Sequence, residues 1–316
     1  MKNYLFINIC FLLFIIIACT KNEKDIIKPN GEISPIENIE LYLEDPIKIE
    51  FNYNETIGIT DINDLLKKHL NDKPDEYLKR INTIVFRQEY SKEGNLEHLG
   101  MIELLPNIQH LTISSNLTSV DTSALPRKLL TIDLSNNNLL TFNAVELPKI
   151  LTSINLSHNK LTLINGDWRS DYGGVTDINL SFNNLSSFDT SKLRQDFFNS
   201  LDLSNNPIEG VFDISKINTI RSLNISNTLI NKIYLNYVEQ YLDCTNTFIE
   251  NIEEFLNLEY CVFQLTFPVP KHYSTEEAED FMKKMIENFP AMEHNSFIHK
   301  NYLLSGNPHF LFLVSM

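Results

Sequence analysis

A chain of 316 residues, 43% hydrophobic and 21% charged, can bury a sizeable core and is not broadly disordered. Its formal net charge of −15 argues against nucleic acid as a partner, because a phosphate backbone calls for clustered Lys and Arg. Acidity of this size fits a solvated surface and says little about fold.

The first 19 residues, MKNYLFINICFLLFIIIAC, place one Lys before an apolar run that ends in a small residue and Cys19, the layout of a secretory signal. The run from Leu5 to Ala18 falls short of the ~20 residues of a comfortable membrane span. Ile16-Ile17-Ala18-Cys19 resembles a bacterial lipobox. The resemblance implies a signal peptide over residues 1–18, cleavage before Cys19 and acylation of that cysteine. Thr20 rather than Asp follows it, which in such lipoproteins implies the outer membrane. Surface exposure is expected, with the periplasmic face left open. Residues 19–35 are polar, without apolar periodicity, and read as a tether.

Residues 36–80 are expected to cap a repeat array. IKIEFNY (47–53) alternates like a strand, and ITDINDLLKKHL reads as a helix capped by Thr60 or Asp61 that buries Ile62, Leu65, Leu66 and Leu70.

From about residue 81 to 266 the chain repeats itself. Five ten-residue windows, LLTIDLSNNN, LTSINLSHNK, VTDINLSFNN, FNSLDLSNNP and IRSLNISNTL, share an apolar-x-apolar core. Fainter copies flank them on both sides. The first core residue falls at Ile84, Leu111, Ile132, Ile154, Ile178, Leu201, Leu223, Leu242 and Cys261, about nine rungs. In such a strand the two apolar residues face one side and the residue between them the other. Stacked rungs then bury an apolar column that no single repeat could bury. Asn116, Asn137, Asn159, Asn183 and Asn206 follow the strands, where a carboxamide can satisfy turn backbone, and Thr228 and Thr247 replace them at the end. Asp121, Asp189 and Asp213 each open an Asp-x-Ser corner suited to local capping.

The pattern L-x-x-L-x-L-x-x-N-x-L resembles the leucine-rich repeat family. The resemblance implies an α/β repeat solenoid, with a curved parallel β-sheet on its concave face and a short helical or irregular convex side. Cys244 and Cys261 would sit on adjacent rungs at offset core positions, roughly 8 Å apart between Cα atoms. That exceeds the ~7 Å reach of a disulfide, so both are expected as core thiols.

Residues 267–316 are expected to form a C-terminal cap. Ser274 and Glu277 have capping-box spacing, and Phe281, Met282, Met285, Ile286 and Phe289 recur at helical spacing. A hairpin is expected to turn at Ser305-Gly306-Asn307-Pro308.

Catalysis has little support. Ser157 and His158 suggest a Ser-His pair, but the serine column is near-uniform along the rungs and strand pairing consumes the amides an oxyanion hole would need. No G-x-S-x-G, P-loop or G-x-G-x-x-G occurs, and neither the aspartates nor His294, His299 and His309 have metal-ligand spacing, so no cofactor or metal is expected. Binding remains. The outward concave positions expected to contact a ligand are His110, Asp133, Asn136, Asn155, His158, Asp177, Asn179, Phe182, Asp202, Asn205, Asn224, Asn227, Tyr241, Asp243 and Tyr260. A second candidate is the loop GDWRSDYGG (166–174), with Trp168, Arg169 and Tyr172, residue types that dominate hot spots. The expected protein is a monomeric, lipid-anchored surface binder or adhesin whose partner is a protein, peptide or glycan. A carbohydrate-capture accessory or an envelope scaffold is the alternative. The lipid is its only expected membrane contact.

Overall fold

The computed structural model describes residues 45–51, 53–88, 95–100, 102, 105, 107–169, 174–257, 264–270, 272–288 and 309–313. The signal, Cys19, the tether, the start of the N-terminal cap, Tyr172, Tyr260, Cys261 and the expected hairpin turn lie outside these residues.

Successive repeats contribute one strand each to a single sheet. Among the described residues it has eleven strands: Ile47–Phe51, Ile81–Arg87, His110–Ser114, Thr131–Asp133, Ser153–Asn155, Asp177–Asn179, Phe198–Asp202, Ile220–Asn224, Val238–Asp243, Gln264–Pro268 and His309–Leu313. They lie in chain order. All neighbours are parallel except the last pair, where 309–313 runs antiparallel to 264–268. The register is the repeat itself: Ile84 pairs with Leu111, Leu111 with Ile132, Ile132 with Ile154, and so on to Leu223 with Leu242. The result is a leucine-rich-repeat-type parallel β-solenoid.

Both ends differ from expectation. Ile49 pairs with Ile84, so the alternating segment 47–51 is itself the first strand of the sheet. At the far end Leu265, not Cys261, pairs with Leu242. The core position is taken by Leu265 of the second apolar-x-apolar pair in LEYCVFQLTF, and Gln264 pairs with Tyr241 in the register expected for Tyr260. Cys244 is a fully buried core thiol.

The core is the column of residues that each repeat turns inward. Leu134, Leu156, Leu180, Leu203 and Ile225 are fully buried, as are Leu139, Leu161 and Ile230 beyond the turn. Burying each such side chain contributes about 2 kcal/mol. The helix Ile62–Leu70 covers the N-terminal end, with Asp61 as its cap (Asn63 N to Asp61 Oδ1, 2.8 Å) and the four expected residues buried. The helix Thr275–Asn288 carries the reciprocal capping box, Ser274 N to Glu277 Oε2 at 2.7 Å and Glu277 N to Ser274 Oγ at 3.2 Å, and buries Phe281 and Met285. Among the described residues no helix is long and apolar enough to cross a membrane.

Turn carboxamides tie one rung to the next. Asn183 accepts from Leu161 N of the preceding rung at 2.9 Å and donates to Leu156 O of that rung at 3.0 Å and to Leu180 O of its own at 2.9 Å. Asn137, Asn159 and Asn206 repeat this pattern. Asn116 does not. Strand His110–Ser114 keeps its alternation one residue longer, so Ser115 is buried in its stead and bonds Gln88 and Leu96 O. Thr228 and Thr247 reach only a carbonyl of their own rung, Ile225 O and Cys244 O.

At the opposite corners Asp121, Asp189 and Asp213 accept from the amide and hydroxyl of Ser123, Ser191 and Ser215. The first two open short 3-10 turns. The serine hydroxyls are the main cause holding all three carboxyls below the usual range.

Two outcomes follow. Asn183→Ala strips partners from buried backbone groups on two rungs and should destabilise by about 3 kcal/mol in urea, against about 1 kcal/mol for Thr228→Ala. Because the corner carboxyls titrate lower folded than unfolded, their stabilisation is complete above about pH 4 and lost as the pH falls through their folded values. The melting temperature of an Asp121→Asn, Asp189→Asn, Asp213→Asn variant should therefore fall less than that of the wild type between about pH 5 and 2.

Candidate functional site

The outer face of the sheet carries three columns of the expected contact residues. In the column between the core pair, Asp133, Asn155, Asn179, Asp202, Asn224 and Asp243 are all half-buried, and each accepts from the amide two residues on, at 2.8–3.1 Å. One oxygen of each side chain therefore braces the turn of its own rung. Of the serines that follow, Ser135, Ser157, Ser181, Ser204 and Ser226 are buried. Ser157 is thus no exposed nucleophile.

The column before the core pair is a hydrogen-bonded row. His110 Nδ1 lies 2.8 Å from Thr131 Oγ1, and Asp177 accepts from Thr176 Oγ1 at 2.9 Å and from Asn199 Nδ2. Asn199 Oδ1 accepts from Arg221 at 3.0 Å, and Arg221 pairs with Glu239 at 3.1 Å. This four-member relay crosses successive rungs. Sequence reasoning missed Asn199, Arg221 and Glu239, although a lone Arg among amides and hydroxyls was the available signal. Tyr241 donates to Asp243 Oδ2 at 3.1 Å; burial first, then the carboxylates of Asp243 and Asp202, push its phenol up, so it stays neutral. With Arg221 and Glu239 offsetting each other, Asp133, Asp177, Asp202 and Asp243 leave this face acidic.

The third column is the informative one. Asn136, His158, Phe182, Asn205, Asn227 and Asn246 all have φ between 53° and 57°, the left-handed region. This kink lets the residue before and the residue after point inward, while its own amide extends the ladder by one bond, as from His158 N to Ser181 O at 3.0 Å. Asn, Asp and His enter the left-handed region most readily among residues with a β-carbon; a bulky Phe there is an outlier. Two consecutive rungs nevertheless carry rings. His158 and Phe182 stack at 4.3 Å with planes 10° apart, and Phe182 is 48% exposed. Strain combined with exposed aromatic surface on one spot is the signature of a site selected for something other than stability.

Of the second candidate, Trp168 and Arg169 lie among the described residues. Trp168 is 3% exposed and stacks on Phe142 at 6.3 Å, while its backbone bonds Lys192 O and Val175 N. It anchors the insertion and presents no ring to a ligand. Gly166, at φ 102°, sits where a β-carbon would lie 2.6 Å from Val145 N. Arg169 closes on Asp167. A cleft of about 280 Å³ beside them, lined by Arg127, Glu146, Lys149, Asp167, Trp168 and Arg169 among others, thus mixes both signs of charge. No group of three or more metal-ligating side chains occurs among the described residues.

No protein-family model and no curated protein matches this sequence. Among solved structures, the chain is similar to the leucine-rich repeat domain of APL1B, at 23% identity and a TM-score of 0.43, over 58% of this chain and 54% of that one. It therefore spans about half the length of that neighbour. The solenoid assignment stands on the register and the turn carboxamides described above.

The double variant His158→Asn, Phe182→Asn should relieve about 1 kcal/mol of left-handed strain at Phe182 and lose a stack of about 1 kcal/mol. An unfolding free energy unchanged to within about 1 kcal/mol is expected by denaturant titration.

Proposed function

We propose that this protein binds a partner protein through the outer face of its sheet and the edge bearing His158 and Phe182, and that it catalyses nothing. The observation that carries the reading is the stacked, left-handed, exposed ring pair in a column otherwise made of Asn. The shape of the fold favours it too, since solenoids of this kind offer extended concave surfaces rather than enclosed reaction chambers. A standard interface of about 800 Å² per partner fits on the ~40 Å that nine rungs span.

A glycan reading has less behind it, because Trp168 is buried and the Tyr241 hydroxyl is held by Asp243. An anchor at Cys19, with the solenoid displayed at the outer membrane, rests on the lipobox-like Ile16-Ile17-Ala18-Cys19. A metabolically supplied fatty-acid analogue would label the chain, and Cys19→Ala would abolish the label.

The test of binding is a photo-crosslinking amino acid at position 158 or 182 of the full-length protein in the cells that make it. One discrete adduct from these positions, absent when the probe sits at Lys216 on the opposite corner, is the expected outcome. Identical patterns from all three positions would sink the reading.

A further inference from the structure

Five consecutive rungs present one exposed ring or apolar side chain each along the edge where the chain leaves the sheet. His158 and Phe182 do so from the left-handed column; Pro207, Leu229 and Phe248 do so from two residues further on, just past the turn carboxamide or its Thr replacement. Phe182 is 48% exposed, and Leu229 and Phe248 45% each.

Two of the five occupy their places against structural preference. Phe182 sits in the left-handed region. Pro207 forgoes a bond, for the equivalent amides of Asn138, Lys160, Asn184, Leu229 and Phe248 each donate to the preceding rung at 2.7–3.0 Å, and proline has no N–H to give.

Charge and spacing identify what would lie there. Asp177, Asp202 and Asp243 flank the strip on the sheet face, and exposed Glu209 and Glu250 flank it on the other side; exposed Lys160 and Lys232 are the cations beside it, so these five carboxylates outnumber them. A second copy of a chain with net charge −15 would be repelled. Five rungs about 4.8 Å apart span ~19 Å. Four turns of an α-helix rise ~22 Å, whereas four same-side steps of an extended strand cover ~27 Å. The helix matches the rungs and the strand overshoots by almost two of them.

We infer that the strip from His158 to Phe248 is a docking edge for a basic amphipathic helix of a partner protein, about 14 residues long. The inference rests on the binding reading above and names the partner's chemistry. Each turn of the helix sets one apolar side chain on a rung while its Lys and Arg meet the two carboxylate rows. Dispersed ion pairs of this kind quicken association and weaken with salt; the apolar contacts do not.

The experiment uses the full-length protein and three synthetic 14-residue peptides: a Leu/Lys amphipathic helix, the same composition scrambled to remove amphipathicity, and a Leu/Glu amphipathic helix. Titration calorimetry should find the first binding at least roughly tenfold more tightly than either control. Phe182→Asn and Leu229→Asn, each installing a residue that its column or its equivalents at 138 and 184 already carry, should each weaken it by roughly tenfold while circular dichroism stays unchanged. Equal affinity for the scrambled peptide, or indifference to both substitutions, overturns the inference. If that happens while position 182 still yields its discrete adduct in cells, the edge binds protein of another kind; if the adduct is missing as well, the binding reading itself has failed.

Discussion

Everything in this solenoid hangs on the backbone left unpaired where each strand ends. The chain must turn there within the protein interior, and buried amides and carbonyls tolerate no vacancy. In the rungs of Asn137, Asn159, Asn183 and Asn206 one carboxamide resolves the problem on two levels at once. Asn183 satisfies its own turn through Leu180 O and the previous turn through Leu161 N and Leu156 O, so each brace is also a coupling between neighbours. The apolar column supplies most of the stabilisation. The carboxamides decide that it is stacked in one register.

That solution fixes where function can reside. For Asn to turn inward two residues after a serine that also turns inward, the residue between them adopts the left-handed conformation and points away from the core. Six rungs thereby gain one outward position whose identity the core does not dictate and whose backbone favours Asn. Departures from Asn are thus readable as information. Departures at His158 and Phe182 are adjacent, aromatic and in mutual contact. By contrast, the Asx residues between the core pair look ligand-ready in sequence yet spend one oxygen each on the local turn.

The rungs were legible in the sequence because their period-2 core pairs and trailing Asn are set by local geometry. Where reading failed, the pattern was degenerate. In LEYCVFQLTF both Cys261-x-Phe263 and Leu265-x-Phe267 satisfy it, and only pairing with Leu242 chooses between them. Asn116 sits at the right offset from Leu111, but without a left-handed residue before it the alternation runs on and Ser115 points inward instead. The rings of 158 and 182 were noticed as interruptions of a column. Their left-handed backbone was invisible, since nothing in a string of letters states φ.

The threonines near the end of the array have a consequence of their own. In a linear stack, cooperativity is carried by nearest-neighbour terms. Thr228 and Thr247 close their own turns and contribute no cross-rung carboxamide bond. The tie between those rungs passes to other side chains: Asn251 accepts from Ile233 N at 3.0 Å and donates to Ile233 O at 2.7 Å, and Asn246 donates to Asn227 Oδ1 at 2.8 Å. The last rungs are therefore joined at partly or fully solvent-exposed positions rather than through the buried turn, where a bound partner could reinforce the joint directly.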